Sequence, residues 1–169
     1  MPQAVTDPPK IKALAPWFGG KRSMADRIVA ELGPHGQYFE PFCGGLSIIL
    51  SKPVSQKETV NDLHGDLINL ARVIADLDKA PRLYDRLQVA PFSQGLLLEA
   101  RQRLEQAEAD PAAIDEDRAY WYFLASWMGR NGTAGTARVD YQLAVRWTKN
   151  GGSPTVRFRN AVESLPAWH

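Results

Sequence analysis

The sequence predicts an α/β fold, with a parallel sheet starting near the N-terminus and a helical, basic second half. Three observations carry that expectation. A strand, a glycine turn, a helix, a second strand and a second helix succeed one another between residues 37 and 77, which is how an α/β sheet opens. Leu/Ala/Glu-rich stretches with helical spacing follow. After Gly129 the texture changes to Gly, Thr, Arg and Asn. The length of 169 residues suits one domain, and 44% apolar with 23% charged residues is ordinary for a chain with a real core. These values exclude a collagen-like repeat, a coiled coil and a disordered tail. No run approaches the ~18 uninterrupted apolar residues of a membrane span.

Met1 to Lys12 is Pro-rich and polar; it reads as a flexible arm with no apolar signal-peptide core. Ser23 to Leu32 reads as an amphipathic helix, with Met24, Ile28, Val29 and Leu32 at helical spacing and Gly33 as its stop. Gln37 to Phe42 is predicted as a buried strand running into the turn Gly44-Gly45, and Leu46 to Leu50 as a short helix. A second strand is expected over Glu58 to Leu63 and a helix from about Asp66 to Leu77. Residues 13–80 thus form the α/β part, and 81–169 the helical and basic part. Helices are expected over Ser93 to Ala109 and from about Pro111 to Met128, where proline suits a first turn. The aromatic residues of the second helix (Tyr120, Trp121, Tyr122, Phe123 and Trp127) read mostly as core packing. Segments near Tyr141–Trp147 and Thr155–Phe158 read as strands, giving a loop plus hairpin.

Net charge is only +1, but its distribution is uneven. Arg130, Arg138, Arg146, Lys149, Arg157 and Arg159 face a single acid, Asp140, within 30 residues, while the remainder carries 14 basic against 18 acidic side chains. Such a run is either a footprint for a polyanion or a solvated loop. The single cysteine, Cys43, cannot form an internal disulfide; an intracellular setting is expected. No His lies near it in sequence, so it reads as a packing residue and not a nucleophile. His35, His64 and His169 lack metal-ligand spacing, and no metal site is expected.

Three short segments carry candidate chemistry. Pro16-Trp17-Phe18-Gly19-Gly20-Lys21 stands just before a helix, where glycines admit a ligand and helix amides with Lys21 favour an anion. A phosphate-binding P-loop fails here, because it needs Gly where Ala15 stands and Ser or Thr where Arg22 stands. A carboxylate suits the site better than a triphosphate. Glu40-Pro41-Phe42-Cys43-Gly44-Gly45-Leu46-Ser47 ends the first strand, at the place where open α/β sheets bind nucleoside cofactors. It can equally be a plain strand-to-helix turn. Asn61-Asp62-Leu63 ends the second strand, 18 residues after Gly44 for Asp62, and an acid there can accept both hydroxyls of a ribose or merely cap a helix.

Taken together, W-x-G-G-K, then E-P-F-x-G-G-x-S, then N-D-x-x-x-D-L-I-N (Asn61 to Asn69) resemble the Dam-type, alpha-group DNA adenine-N6 methyltransferases. The resemblance is strong over Pro16 to Asn69 and looser through Trp127-Met128-Gly129-Arg130-Asn131-Gly132, which leads into the family's target-recognition region. It implies a Rossmann-like fold, here with an incomplete sheet, that uses S-adenosylmethionine as methyl donor and no metal. By that resemblance Trp17, Gly19, Gly20 and Lys21 contact the methionine part, Lys21 taking its carboxylate. Glu40, Pro41, Phe42, Gly44 and Ser47 line the turn, Asp62 holds the ribose and Leu63 lies against the adenine. Double-stranded DNA is the implied partner, met by Arg130, Asn131, Arg138, Arg146, Lys149, Arg157 and Arg159, with a bacterial or phage-encoded, cytoplasmic setting.

The family's catalytic signature is D-P-P followed by an aromatic, late in the chain. Here the only D-P-P is Asp7-Pro8-Pro9, followed by Lys10, and it is rejected as the catalytic motif. No catalytic residue is therefore assigned. The resemblance implies the first portion of a methyltransferase, inactive alone: a truncated product, a split enzyme completed by a second chain or C-terminal part, or a self-associating remnant. A non-catalytic DNA-binding module is the competing expectation.

Overall fold

The structure, a computed structural model, describes residues 11–106, 110–129, 142–144 and 152–169. A 3-10 turn, Lys21–Met24, leads into helix α1, Ala25–Leu32, which ends at Gly33 with φ 59°. Strands β1, Gln37–Glu40, and β2, Lys57–Val60, pair in parallel with Gln37 opposite Lys57 and Glu40 opposite Val60. Helices α2, Gly65–Ala75; α3, Lys79–Gln88; α4, Gln94–Glu105; α5, Glu116–Met128; and α6, Pro154–Trp168, follow. This mixed helix and strand architecture with a small parallel sheet is compatible with an α/β methyltransferase-like fold. No described helix is long and apolar enough to cross a membrane.

The core lies among the helices. Helix α5 is covered on nearly every side, by α2, α3, α4 and α6, which is why its aromatic run contains Tyr120, Tyr122, Phe123 and Trp127 all buried. Its partners bring Leu67, Leu70 and Val73 from α2, Leu83 and Leu87 from α3, Leu97 from α4 and Leu165 from α6. One continuous cluster joins Ile11 to Trp168, so the α/β part and the helical part share a single core. Ile11, placed in the expected arm, is itself buried, and its N–H donates to Ser164 Oγ at 3.0 Å.

Several expectations are corrected. The strand over β1 is not buried: its pattern leaves Gln37 and Phe39 exposed, Phe39 at 66%. Residues 46–50 form hydrogen-bonded turns and not a helix, starting from Leu46 at φ 59°, a conformation costly for a side chain and held here by the burial of Leu46. Helix α5 starts after Pro111: Asp115 accepts from the Arg118 N–H at 2.9 Å, and a carboxylate cap wins over proline. Helix α3 was not expected. Its entry is fixed by Asp76, whose Oδ1 accepts from the N–H groups of Asp78 and Lys79 at 3.0 and 2.9 Å.

The largest correction concerns Thr155–Phe158, expected as a strand and found inside α6. Pro154 starts that helix, and Phe158, Ala161, Val162, Leu165 and Trp168 then bury one face at helical spacing. The hairpin reading of Tyr141–Trp147 lies mostly outside the described residues; Leu143 makes an antiparallel bridge to Gly129.

With both strands largely exposed, the sheet depends on polar contacts. The Lys52 ammonium is fully buried, pairs with Glu58, donates to Pro53 O and Ser55 Oγ at 2.8 Å each, and lies 4.7 Å from the Tyr38 ring centroid. Burial alone raises the Glu58 pKa, but bonds from Lys52 and the Ser55 N–H outweigh it and hold the carboxyl below its ordinary value. Glu58 is partly solvated, whereas Lys52 is not. Removing the acid should therefore hurt more than removing the base. Glu58→Ala is expected to cost about 3 kcal/mol, and Lys52→Met less than half of that, by urea unfolding at pH 7. The ion pair's share is fully present above the ordinary carboxyl value and is lost as pH falls through the lower folded value, so the gap between wild type and Glu58→Ala narrows in acid.

Candidate functional site

The segment Ile11–Trp17 crosses the glycine turn after β1. Trp168 Nε1 donates to Ile11 O at 2.7 Å and Trp127 Nε1 to Leu14 O at 2.9 Å, tying the segment to α6 and α5. The Leu14 N–H in turn donates to Gly45 O at 2.9 Å. Glycine is required at this crossing. A Cβ on Gly45 would lie 2.7 Å from Ala15 O, and one on Gly44, at φ +50°, would meet the Trp17 ring at 3.0 Å.

Beyond the turn, the ends of the two parallel strands are laced together. Asn61 N–H donates to Glu40 O and Cys43 N–H to Asn61 O, both at 2.9 Å. The carboxylate of Asp62 then accepts from Gly44 N–H at 2.8 Å through Oδ2 and from His64 N–H at 3.0 Å through Oδ1. Two backbone donors fix its orientation, and a carboxylate keeps further lone pairs for a ligand. Phe42, two residues before Gly44, and Leu63, next after Asp62, are 72% and 92% exposed, apolar side chains standing in water at the two strand ends.

The Lys21 ammonium does not stand free. It pairs with Glu40 Oε1 at 2.6 Å and donates to Phe42 O at 2.8 Å, so its charge is already balanced and one N–H is left to offer. Glu40, buried, also accepts from Tyr38 Oη at 2.8 Å. Burial, then that hydrogen bond and the Glu40 charge, push the Tyr38 phenol well above its ordinary value. Cys43 is buried and its thiol is pushed up to about 11 by burial, then by the charges of Asp62 and Glu40. That fits a packing residue. The Trp17 ring meets His64 edge-on at 5.4 Å.

At the Trp17–Gly20 turn lies a cavity of about 350 Å³. Trp17, Phe18, Gly19, Gly20, Ser47 and Trp127 line it together with Arg22 and Arg157. Arg22 was missed by sequence reasoning: it entered only as the residue that breaks a P-loop pattern, and nothing in its spacing linked it to Arg157.

In the Asn61–Asn69 motif the roles divide. Asp62 faces the turn, whereas Asp66 pairs with Arg118, and Asn69 exchanges two 2.8 Å hydrogen bonds with the Asp115 backbone. The second half of the motif therefore docks α2 on the start of α5.

The family model of D12 class N6 adenine-specific DNA methyltransferases matches residues 17–148, from Trp17 through most of the basic stretch. The chain belongs to that family. A comparison with curated proteins returned no match. The D12 match begins at the tryptophan against Gly44 and includes every segment of the laced turn.

Of the basic candidates in this D12 chain, Arg130, Asn131, Arg138, Arg146 and Lys149 lie outside the described residues. Arg157, expected on the Thr155–Phe158 strand, and Arg159, expected in the same basic run, are separated by the helix. Two residues along α6 turn the side chain by about 200°, so Arg157 enters the Trp17 cavity and Arg159 lines a different cleft with Phe92 and Glu163. Among the described residues no cluster of His, Cys, Asp or Glu could hold a metal.

Two substitutions test the crossing. Gly45→Ala is expected to destabilise by about 1–3 kcal/mol, since backbone must move to admit the methyl. Trp127→Phe keeps most of the packing but leaves the buried Leu14 carbonyl unpaired, at about 1–3 kcal/mol. Denaturant unfolding gives both costs; amide exchange at Leu14 should speed up more than exchange in α2.

Proposed function

We propose that the chain binds S-adenosylmethionine at the carboxyl ends of β1 and β2, for methyl transfer to N6 of adenine in double-stranded DNA. Family membership supports the chemistry. The single observation that supports the location is the Gly44 N–H to Asp62 contact, which holds an acceptor directly over a close-approach glycine turn. The residues fit the group: a carboxylate with spare lone pairs suits a ribose diol, and exposed Phe42 and Leu63 suit the faces of an adenine. Such binding at strand ends is the general habit of open α/β sheets.

Within this reading Trp17, Gly19, Gly20, Glu40, Pro41 and Ser47 shape the methionine end. Lys21 acts chiefly by clamping Glu40 to the Phe42 carbonyl and has one N–H left for a carboxylate. S-adenosylmethionine supplies a sulfonium-activated methyl, so the protein's work is positioning. The target base must leave the duplex to reach it, and Arg130, Asn131, Arg138, Arg146, Lys149, Arg157 and Arg159 hold the DNA. A DNA substrate fits a cytoplasmic setting.

The 169 residues contain no D-P-P-aromatic tetrapeptide. On that ground we assign turnover to a catalytic motif supplied by a second chain or a C-terminal part. Exposed Met24, Leu32 and Phe39, on the 3-10 turn, α1 and β1, support further elements packing on this part. A non-catalytic DNA-binding module is the second reading, favoured by the same missing tetrapeptide.

Titrating S-adenosylmethionine by calorimetry separates these. Binding in the range of roughly micromolar to millimolar is expected, abolished by Asp62→Ala and by Lys21→Ala, with little methyl transfer to unmethylated duplex from the 169 residues alone. A folded protein that binds DNA but shows no donor heat leaves the binding-module reading standing and removes the donor site.

A further inference from the structure

His64 is the last residue between β2 and α2, and it caps that helix without being suited to the task. Small oxygen-bearing side chains are the usual caps. Ser93 and Asp115 serve α4 and α5 in this way, accepting helix N–H groups at 3.2 and 2.9 Å. The Nδ1 of His64 accepts the Leu67 N–H at 3.4 Å, longer than a good hydrogen bond. Its ring is engaged elsewhere. It meets the Trp17 ring edge-on with 5.4 Å between centroids, and the Tyr122 ring of α5, tilted by 42°, at 5.3 Å. Tyr122 belongs to the buried core, and Trp17 ends the crossing segment. One partly buried imidazole therefore bridges the core and the glycine turn.

These contacts close a circuit around the acceptor. Asp62 accepts from the Gly44 N–H through one oxygen and from the His64 N–H through the other. Gly44 lies so close to the Trp17 ring that a Cβ on it would stand 3.0 Å away. Trp17 in turn lies against the His64 ring. The bond from the His64 N–H spans only two residues, a local turn that orients Asp62 relative to residue 64 and to nothing else. Where residue 64 stands is decided by what its side chain touches, and both partners are distant in sequence. We propose that His64 is a positioning residue of the donor site: its ring, held between Trp17 and Tyr122, fixes the Asp62 carboxylate over the Gly44 turn. The effect on donor binding rests on the donor-site reading, and the placement of Asp62 on these contacts alone.

Two variants of the 169-residue chain separate what this side chain does. His64→Asn keeps a capping oxygen and removes the ring; His64→Phe keeps a ring and removes the acceptor. By calorimetry His64→Asn should bind S-adenosylmethionine about tenfold more weakly, the fold-change that two lost ring contacts amount to. His64→Phe should stay within about threefold of wild type. Ser93→Ala, which uncaps α4, should melt about 2–4 °C lower with its donor affinity unchanged, so that lost stability alone does not mimic the effect. Without donor, exchange of the Gly44 amide is read against the buried Phe123 amide of α5. It should quicken about tenfold in His64→Asn and hold in His64→Phe. Any other order of the two variants in either readout, equal loss in both included, overturns the proposal. Should the wild type bind no donor, the exchange rates still decide: the expected order keeps the placement of Asp62 while the donor-site reading falls. A wild type that binds donor, with His64→Asn binding it as tightly, ends the proposal and leaves that reading standing.

Discussion

The crossing of residues Ile11–Trp17 over the Gly44-Gly45 turn is the constraint on which the rest of the site depends. The sheet cannot hold that turn by itself: two four-residue strands with exposed faces bury too little apolar surface. Stability resides instead in the helical cluster around α5, and it reaches the turn through two indole N–H groups. Trp168 and Trp127 pin Ile11 and Leu14, and Leu14 pins Gly45. Each tryptophan serves twice, burying a large ring and satisfying a backbone carbonyl that packing would otherwise leave unpaired. The glycines make the approach possible because nothing else fits against Ala15 O and the Trp17 ring.

A second route runs through α2. Its start follows directly on Asp62, and its buried Asn69 and partly buried Asp66 fasten it to the N-terminal end of α5. The acceptor at the end of β2 is thus held between a helix docked on the core and the N–H of Gly44. This arrangement explains why one short motif mixes an acid that faces outward with an acid and an amide that face a neighbouring helix. A carboxylate used for binding needs a rigid backbone beneath it, and the polar docking supplies that rigidity with little help from the sheet.

Much of this was legible in the sequence, for physical reasons that differ between segments. The order of β1, β2 and α2 could be read because a short apolar run ending in a glycine turn is a local signal. The place of Asp62 at the end of the second strand could be read from the sequence, but not the hydrogen bond that it accepts from the Gly44 N–H. What could not be read was set by partners distant in sequence. The segment 46–50 carries a helical apolar pattern, yet Leu46 stands at φ 59° with its side chain buried in the shared core. Lys21 reads as an anion receptor until Glu40, 19 residues on, is seen to neutralise it. Helix α6 was mistaken for a hairpin because Val156, Arg157 and Phe158 have the β-branched and alternating texture of a strand. The core decided otherwise, through the helical spacing from Phe158 to Trp168.

That misreading matters beyond secondary structure, because period determines which charges act together. On a strand, Arg157 and Arg159 would share one face and add to a single basic patch with the residues before them. On a helix they are sent to different surfaces, one into the aromatic cavity beside the donor turn and one into the cleft near Phe92. The net charge of the segment is the same in both cases. What changes is that Arg157 meets Arg22, from the other end of the described chain, and not its own neighbour. A charge count along the sequence therefore locates a basic region without locating its sites, since these depend on which element carries each cation.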